Sequence, residues 1–148
     1  MIEQQADLWS VPADFRVITT NGAVRHDGCA VMGRGCAKEA AGQFPRLPYL
    51  LGLCLKRSGN RVHFFPDDVI GAKFGLFTFP VKHHWNERAD LDLIARSVEE
   101  FGRQLLASSV YVMPRPGCGN GQLSWEAVRP LLVGLPDNVI VVDFPPRP

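Results

Sequence analysis

Short apolar runs alternate with helix-patterned stretches from Phe15 to Phe144, and this alternation constrains the fold more than any other feature of the chain. It points to an α/β domain rather than an all-helical or all-β one. Strands are predicted at "FRVITT" (15–20), "RVHFF" (61–65), "KFGLFTFPV" (73–81), "VYVMP" (110–114) and "NVIVVDF" (138–144). The third of these ends at a proline, which has no N–H to give to a ladder. Helices are predicted over 47–59, with Pro48 in the first turn and Gly59 as the stop, and over 90–106. In the second of these, Leu91, Ile94, Val98, Phe101 and Leu105 fall on one face and are expected in the core. A third helix is predicted at 124–132, with Ser124 as N-cap and Pro130 leaving its length open.

The chain's 148 residues fit one domain (1–148) with a core large enough to fold without staples, and the closing "PPRP" (145–148) is expected to be a loose tail. Sixteen Lys+Arg stand against fifteen Asp+Glu, so no global basic field exists to hold a nucleic-acid backbone non-specifically. Any polyanion contact must be local. The cysteines Cys29, Cys36, Cys54 and Cys118 form no CxxC pair and no basic-then-apolar leader opens the chain, so a reduced, cytoplasmic setting is expected. Neither they nor the four histidines have zinc-ligand spacing, and no apolar run reaches membrane-spanning length, so no metal and no membrane partner is expected.

Two segments depart from packing logic in the same way. "TTNGAVRHDGCAVMGRGCA" and "MPRPGCGNGQLSW" each follow a predicted strand, are rich in glycine and lead into a helix. Glycine there lets backbone approach an anion closely, while the first free N–H groups of the following helix point at it. Two such loops suit two phosphates, or a phosphate and its sugar. Neither is a Walker A or GxGxxG sequence, and either one alone reads rather as a tight turn.

Taken in order, "NG…GCAVMGRGCAKEA", "FPVKHHW" and "MPRPGCGNGQLSWEAVRPLL" resemble the macrodomain family. The likeness is greatest to the branch holding the terminal ADP-ribose protein glycohydrolase and the antitoxins that remove ADP-ribose from DNA. It spans nearly the whole chain. The resemblance implies a three-layer α/β/α domain with a mixed, mostly parallel central sheet, and ADP-ribose lying across the C-terminal strand edges, as the crevice rule for such sheets expects. It implies no cofactor.

Residue by residue, "ADLW" is similar to the family's entry motif, so Asp7 would accept from the adenine amino group with Leu8 beside it. A turn cap is the other reading of Asp7. Asn21 would face the distal ribose, and Met32, Gly33, Arg34 and Gly35 would line that ribose and the diphosphate. Gly117, Cys118, Gly119, Asn120 and Gly121 would supply the second diphosphate loop. Phe144 would stack on adenine or simply end the core.

Lys82, in "FPVKHHW", stands where the glycohydrolase branch carries a lysine that attacks the anomeric carbon of the distal ribose. Without the family it reads as a solvated lysine at a strand end. The attacking amine must be neutral, which burial or a neighbouring cation can arrange. Strand alternation would put His84 rather than His83 on the side of Lys82. One departure matters: where the protein glycohydrolase has an assisting aspartate after its "GCG", this chain has Gly121, as the DNA-directed antitoxins do.

The expected function is therefore ADP-ribose binding, with hydrolysis of ADP-ribose from a modified nucleotide, DNA or protein through Lys82. The expected partner is ADP-ribose or an ADP-ribosylated substrate, with Arg25, Arg34, Lys38, Arg46, Arg115 and Arg129 as local phosphate contacts. A non-catalytic binding module would use the same cleft. A cysteine hydrolase is a third reading, with Cys118 near a helix N-terminus that favours its thiolate.

Overall fold

The computed structural model describes residues 1–144, and the tail expected at 145–148 lies outside the described residues. Strands β1 (Ile2–Gln5), β2 (Phe15–Asn21), β3 (His63–Phe65), β4 (Gly75–Lys82), β5 (Tyr111–Pro114) and β6 (Val139–Asp143) form one sheet in the order β1-β6-β5-β2-β4-β3. Only β3 runs antiparallel, against β4. Helices α1 (Gly35–Gln43), α2 (Leu47–Ser58), α3 (Asp67–Ile70), α4 (Leu91–Gly102) and α5 (Trp125–Leu132) complete the fold.

Side-chain alternation along the strands builds two cores. Ile18, Leu76, Val112 and Val142 face Ala37, Ala40, Leu47, Leu51 and Ile70 from α1, α2 and α3. Val17, Phe77, Phe79, Tyr111, Met113 and Val141 face Ile94, Phe101, Val128 and Leu132 from α4 and α5. The result is three layers, helices over both faces of a mostly parallel sheet. Burial on both faces explains why β2 and β4 read as near-continuous apolar runs instead of alternating ones.

Local signals act where the sequence places them. Gly59 ends α2 at φ +86°, its N–H donating to the Leu55 carbonyl, and the Ser124 side chain accepts from the Ala127 N–H at the start of α5. Pro130 lies inside α5, which ends two residues later at Leu132.

Three expectations are corrected. The inward arc of α4 is Leu93, Ile94, Ser97 and Phe101, centred beside Ser97, so Leu91 and Val98 fall on its margin and Leu91 is exposed. Ser97 is tolerated at the centre because its hydroxyl donates to the Pro80 carbonyl at 2.7 Å. The helix also stops at Gly102, well short of 106. Pro80 does not end β4. The strand runs two residues further, and the pairing steps from Thr20↔Pro80 to Asn21↔Lys82, a bulge at the residue after the proline.

Candidate functional site

The cleft originates in a split of the sheet. β2 pairs with β4 along its whole length, but with β5 only at Phe15↔Tyr111 and Arg16↔Val112. Beyond those pairs the two strands part, and the loops that follow them open to either side. From β2 the chain goes to β4 on one flank and later returns to β5 and β6 on the other, so the split is the topological switch point of the sheet. A cleft of about 600 Å³ lies across the C-terminal ends of β2, β4, β5 and β6. That volume suits a ligand of dinucleotide size.

Both glycine loops line it, through Met32, Gly33, Arg34 and Gly35 on one side and Gly117, Cys118, Gly119, Asn120 and Gly121 on the other. Gly35 and Gly117 adopt φ of +65° and +75°, a region L side chains avoid. α1 starts at Gly35 without a side-chain cap, so the free N–H groups of its first turn, at Gly35, Cys36 and Ala37, stand at the cleft wall. Asn21, at the end of β2, reaches the cleft too. Its amide also braces the first loop, donating to the Val31 carbonyl and accepting from the Ala23 N–H, each at 2.9 Å.

The bulge after Pro80 sets Lys82 opposite Asn21 at the floor of this space. Lys82 Nζ donates to the carbonyls of Asn120 at 3.2 Å and Trp85 at 3.5 Å. The amine is thus tied across the cleft to the second glycine loop. Asn60 holds its main chain, donating to the Lys82 carbonyl at 2.9 Å. His84 does not share the side of Lys82. β4 ends at Lys82, alternation lapses in the bend that follows, and neither His83 nor His84 lines the cleft. His83 Nε2 instead lies 2.8 Å from Asp90 Oδ2, a hydrogen bond that holds the Asp90 carboxyl below the usual range.

Cys118 also departs from expectation. Burial raises its thiol pKa against a weaker opposing pull from Arg115, and α5 begins only at Trp125, so no helix terminus favours its thiolate. Its Sγ donates to the Pro116 carbonyl at 3.6 Å. Among the described residues no histidine lines the cleft. The cysteine-hydrolase reading therefore lacks both its thiolate and its base.

Phe144 is at the opposite end, exposed and lining the cleft. Asp7 and Leu8 lie beside that end, since the Ala6 N–H donates to the Asp143 carbonyl at 2.9 Å, but neither lines the cleft. Asp7 caps its own turn, accepting from the Trp9 N–H at 3.3 Å and the Ser10 hydroxyl at 3.0 Å. The Leu8 side chain is wholly buried in the core, and its carbonyl is taken by Arg16 Nε. Of the six cations expected near phosphate, Arg34 and Arg115 line the cleft, while Arg25 pairs with Asp27 and Arg129 with Glu3. Lys38 and Arg46 stand off it. Sequence reasoning passed over Trp85, Asn86 and Glu87 beside Lys82, although the apolar Trp85 next to a polar run was a visible signal.

No family model or curated relative matches the sequence. Among solved structures, the chain is similar to the macrodomain of Mycobacterium tuberculosis DarG, with 25% identity and a TM-score of 0.79 over 99% of this chain and 97% of that one. The macrodomain of Thermus aquaticus DarG matches at 21% identity and TM-score 0.76, over 98% of this chain and 97% of the other. Thermosipho africanus DarTG, solved with ADP-ribose, matches at 21% identity and TM-score 0.73, over 94% of this chain and 40% of that longer one. A split six-stranded sheet, helices on both faces, a cleft at the switch point and these likenesses over nearly the whole chain agree on one conclusion: the chain has the macrodomain fold.

Proposed function

We propose that this protein binds ADP-ribose in its cleft and hydrolyses it from a modified nucleotide or DNA, or from protein, with Lys82 as the nucleophile. The observation that carries the reading is the Lys82 amine at the cleft floor, between Asn21 and the second glycine loop. Support for the ligand comes from cleft shape and from the similar DarTG structure, which holds ADP-ribose. In this reading adenine stacks near Phe144, the diphosphate lies between the α1 N-terminus and residues 117–121, and the distal ribose reaches Lys82.

Chemistry then needs two exchanges at one carbon. Deprotonated Lys82 Nζ attacks the anomeric carbon of the distal ribose; the bond to the leaving group breaks, and that group departs with the electron pair and takes up a proton. Water next replaces Nζ on the same carbon, giving free ADP-ribose and restoring the amine. A paired carboxylate has no place at position 121. A Cβ there would stand 2.5 Å from the Gly117 carbonyl oxygen and 2.8 Å from Ala89 Cβ. That contact favours a route in which Lys82 acts without a carboxylate at position 121 to assist it.

The test is calorimetric titration with ADP-ribose, AMP and ribose phosphate, followed by turnover of an ADP-ribosylated oligonucleotide. Wild-type protein should bind ADP-ribose at ~1 µM, near −8 kcal/mol, and the two fragments far more weakly. Lys82→Ala should keep that affinity within about threefold and lose at least ~10³-fold in turnover, the scale on which loss of a nucleophile acts. Turnover by Lys82→Ala at the wild-type rate would end the covalent mechanism. Tight binding without turnover by the wild-type chain would instead leave a binding module.

A further inference from the structure

The cleft has two exposed aromatic rims, and Phe144 accounts for only one of them. Phe144 follows β6 and Trp85 follows β4, with β5 and β2 between them, so the two rings stand at opposite ends. Trp85 is 58% exposed while lining the cleft. The other two tryptophans are engaged: Trp9 packs on Phe44 and Phe74 and donates to Glu39, and Trp125 donates to Glu3 beneath the Arg115 guanidinium. Among the described residues the Trp85 indole has neither a hydrogen bond nor a ring partner.

The backbone that carries it is nonetheless held in place. The Gly22 N–H donates to the His83 carbonyl at 3.1 Å, His83 meets Asp90, the Asp90 N–H donates to the Val81 carbonyl at 2.9 Å, and the Ala89 N–H donates to the Gly121 carbonyl at 3.0 Å. These bonds clamp residues 83–90 at both ends against β2, β4 and the second glycine loop. The Trp85 carbonyl itself accepts from Lys82 Nζ. An indole carried on that clamped segment at the cleft mouth, its backbone joined to the amine and its ring left uncovered, is arranged to meet whatever lies just beyond the anomeric carbon.

We infer that Trp85 is the stacking platform for the leaving group and the residue that sets preference among leaving groups. This rests on the function proposed above. A flat uncharged heterocycle, such as a nucleobase joined to the distal ribose, fits the indole face.

The experiment compares wild type, Trp85→Ala and Trp85→Phe on three probes: free ADP-ribose, ADP-ribose methylated at the anomeric oxygen, and an oligonucleotide ADP-ribosylated on a base. Trp85→Ala should lower kcat/KM on the oligonucleotide about tenfold or more, since base–aromatic stacking acts on that scale. Trp85→Phe should restore most of the loss. Turnover of the methyl compound and the Kd for free ADP-ribose should move by less than about twofold in either variant. Equal losses on all three probes would make Trp85 a prop for Lys82 or the loop and overturn the inference, as would an unchanged oligonucleotide rate. Failure of the wild-type chain to bind ADP-ribose or to cleave either substrate overturns the underlying function instead, and is read before any variant is made.

Discussion

The two glycine-rich loops both follow a strand and lead toward a helix, yet their glycines meet different neighbours. Residues 22–34 fold back as a small hairpin, bridged at Val24↔Ala30 and closed by the Arg25 and Val31 N–H groups on the Cys29 and Ala23 carbonyls, and they lean on the Asn21 amide and on α2 through the Ala30 N–H and the Pro48 carbonyl. Residues 115–123 take outside donors too, Lys82 Nζ at the Asn120 carbonyl and the Ala89 N–H at the Gly121 carbonyl, and close on themselves. The Cys118, Gln122 and Leu123 N–H groups donate to the Arg115, Gly119 and Gly117 carbonyls, all within the loop. Both loops thus combine internal and outside bonds, and they differ in what presses on them: α2 approaches the first at Gly28, whereas the second closes on itself between Gly117 and Gly121. Glycine enters each for a different reason, close approach of a helix in one and close self-approach in the other.

That contrast breaks most sharply at Gly52. A Cβ there would stand 1.9 Å from the Gly28 carbonyl oxygen, backbone against backbone, with no flexible atom to yield. Gly52→Ala should therefore separate α2 from the first loop and cost about 3 kcal/mol, a Tm fall near 10 °C by thermal melt, although position 52 is outside the cleft. An unchanged Tm would mean the first loop does not depend on α2. Gly121→Ala tests the other side. It should cost about 2 kcal/mol from contact with Gly117 and Ala89, and, because it distorts the loop from within, weaken ADP-ribose at least ~10-fold by calorimetry. Full affinity in that variant would show that the second loop tolerates reshaping from inside.

Much of this was legible. The caps at Ser124 and Gly59, the strand-to-helix placement of both loops and the position of Lys82 at a strand end are local facts, written within a few residues of where they act. What sequence missed is what distant segments decide. Nothing near Gly52 announces Gly28, and the inward arc of α4 depends on where the sheet passes beneath it. β1, with one apolar residue among four, forms because β6 presents a free edge. His84 was misjudged because alternation holds only while a strand lasts, and Pro80 moved both the register and the end of β4. For Cys118, sequence nearness to α5 suggested a reactive thiolate, and burial in the folded loop raises its pKa instead.

The finest separation between the two loops comes from Gly119. No heavy atom lies within 4 Å of a Cβ built there, so Gly119→Ala should shift stability by less than about 0.5 kcal/mol. Its one effect should be on a ligand lying against the second loop. If the diphosphate rests on that backbone, the added methyl stands in its path and ADP-ribose affinity should fall about fivefold, roughly 1 kcal/mol, with Tm unmoved. Unchanged affinity would assign the phosphate contacts to the first loop and the α1 N-terminus. The second loop would then act on the site through the Lys82 amine that its Asn120 carbonyl holds.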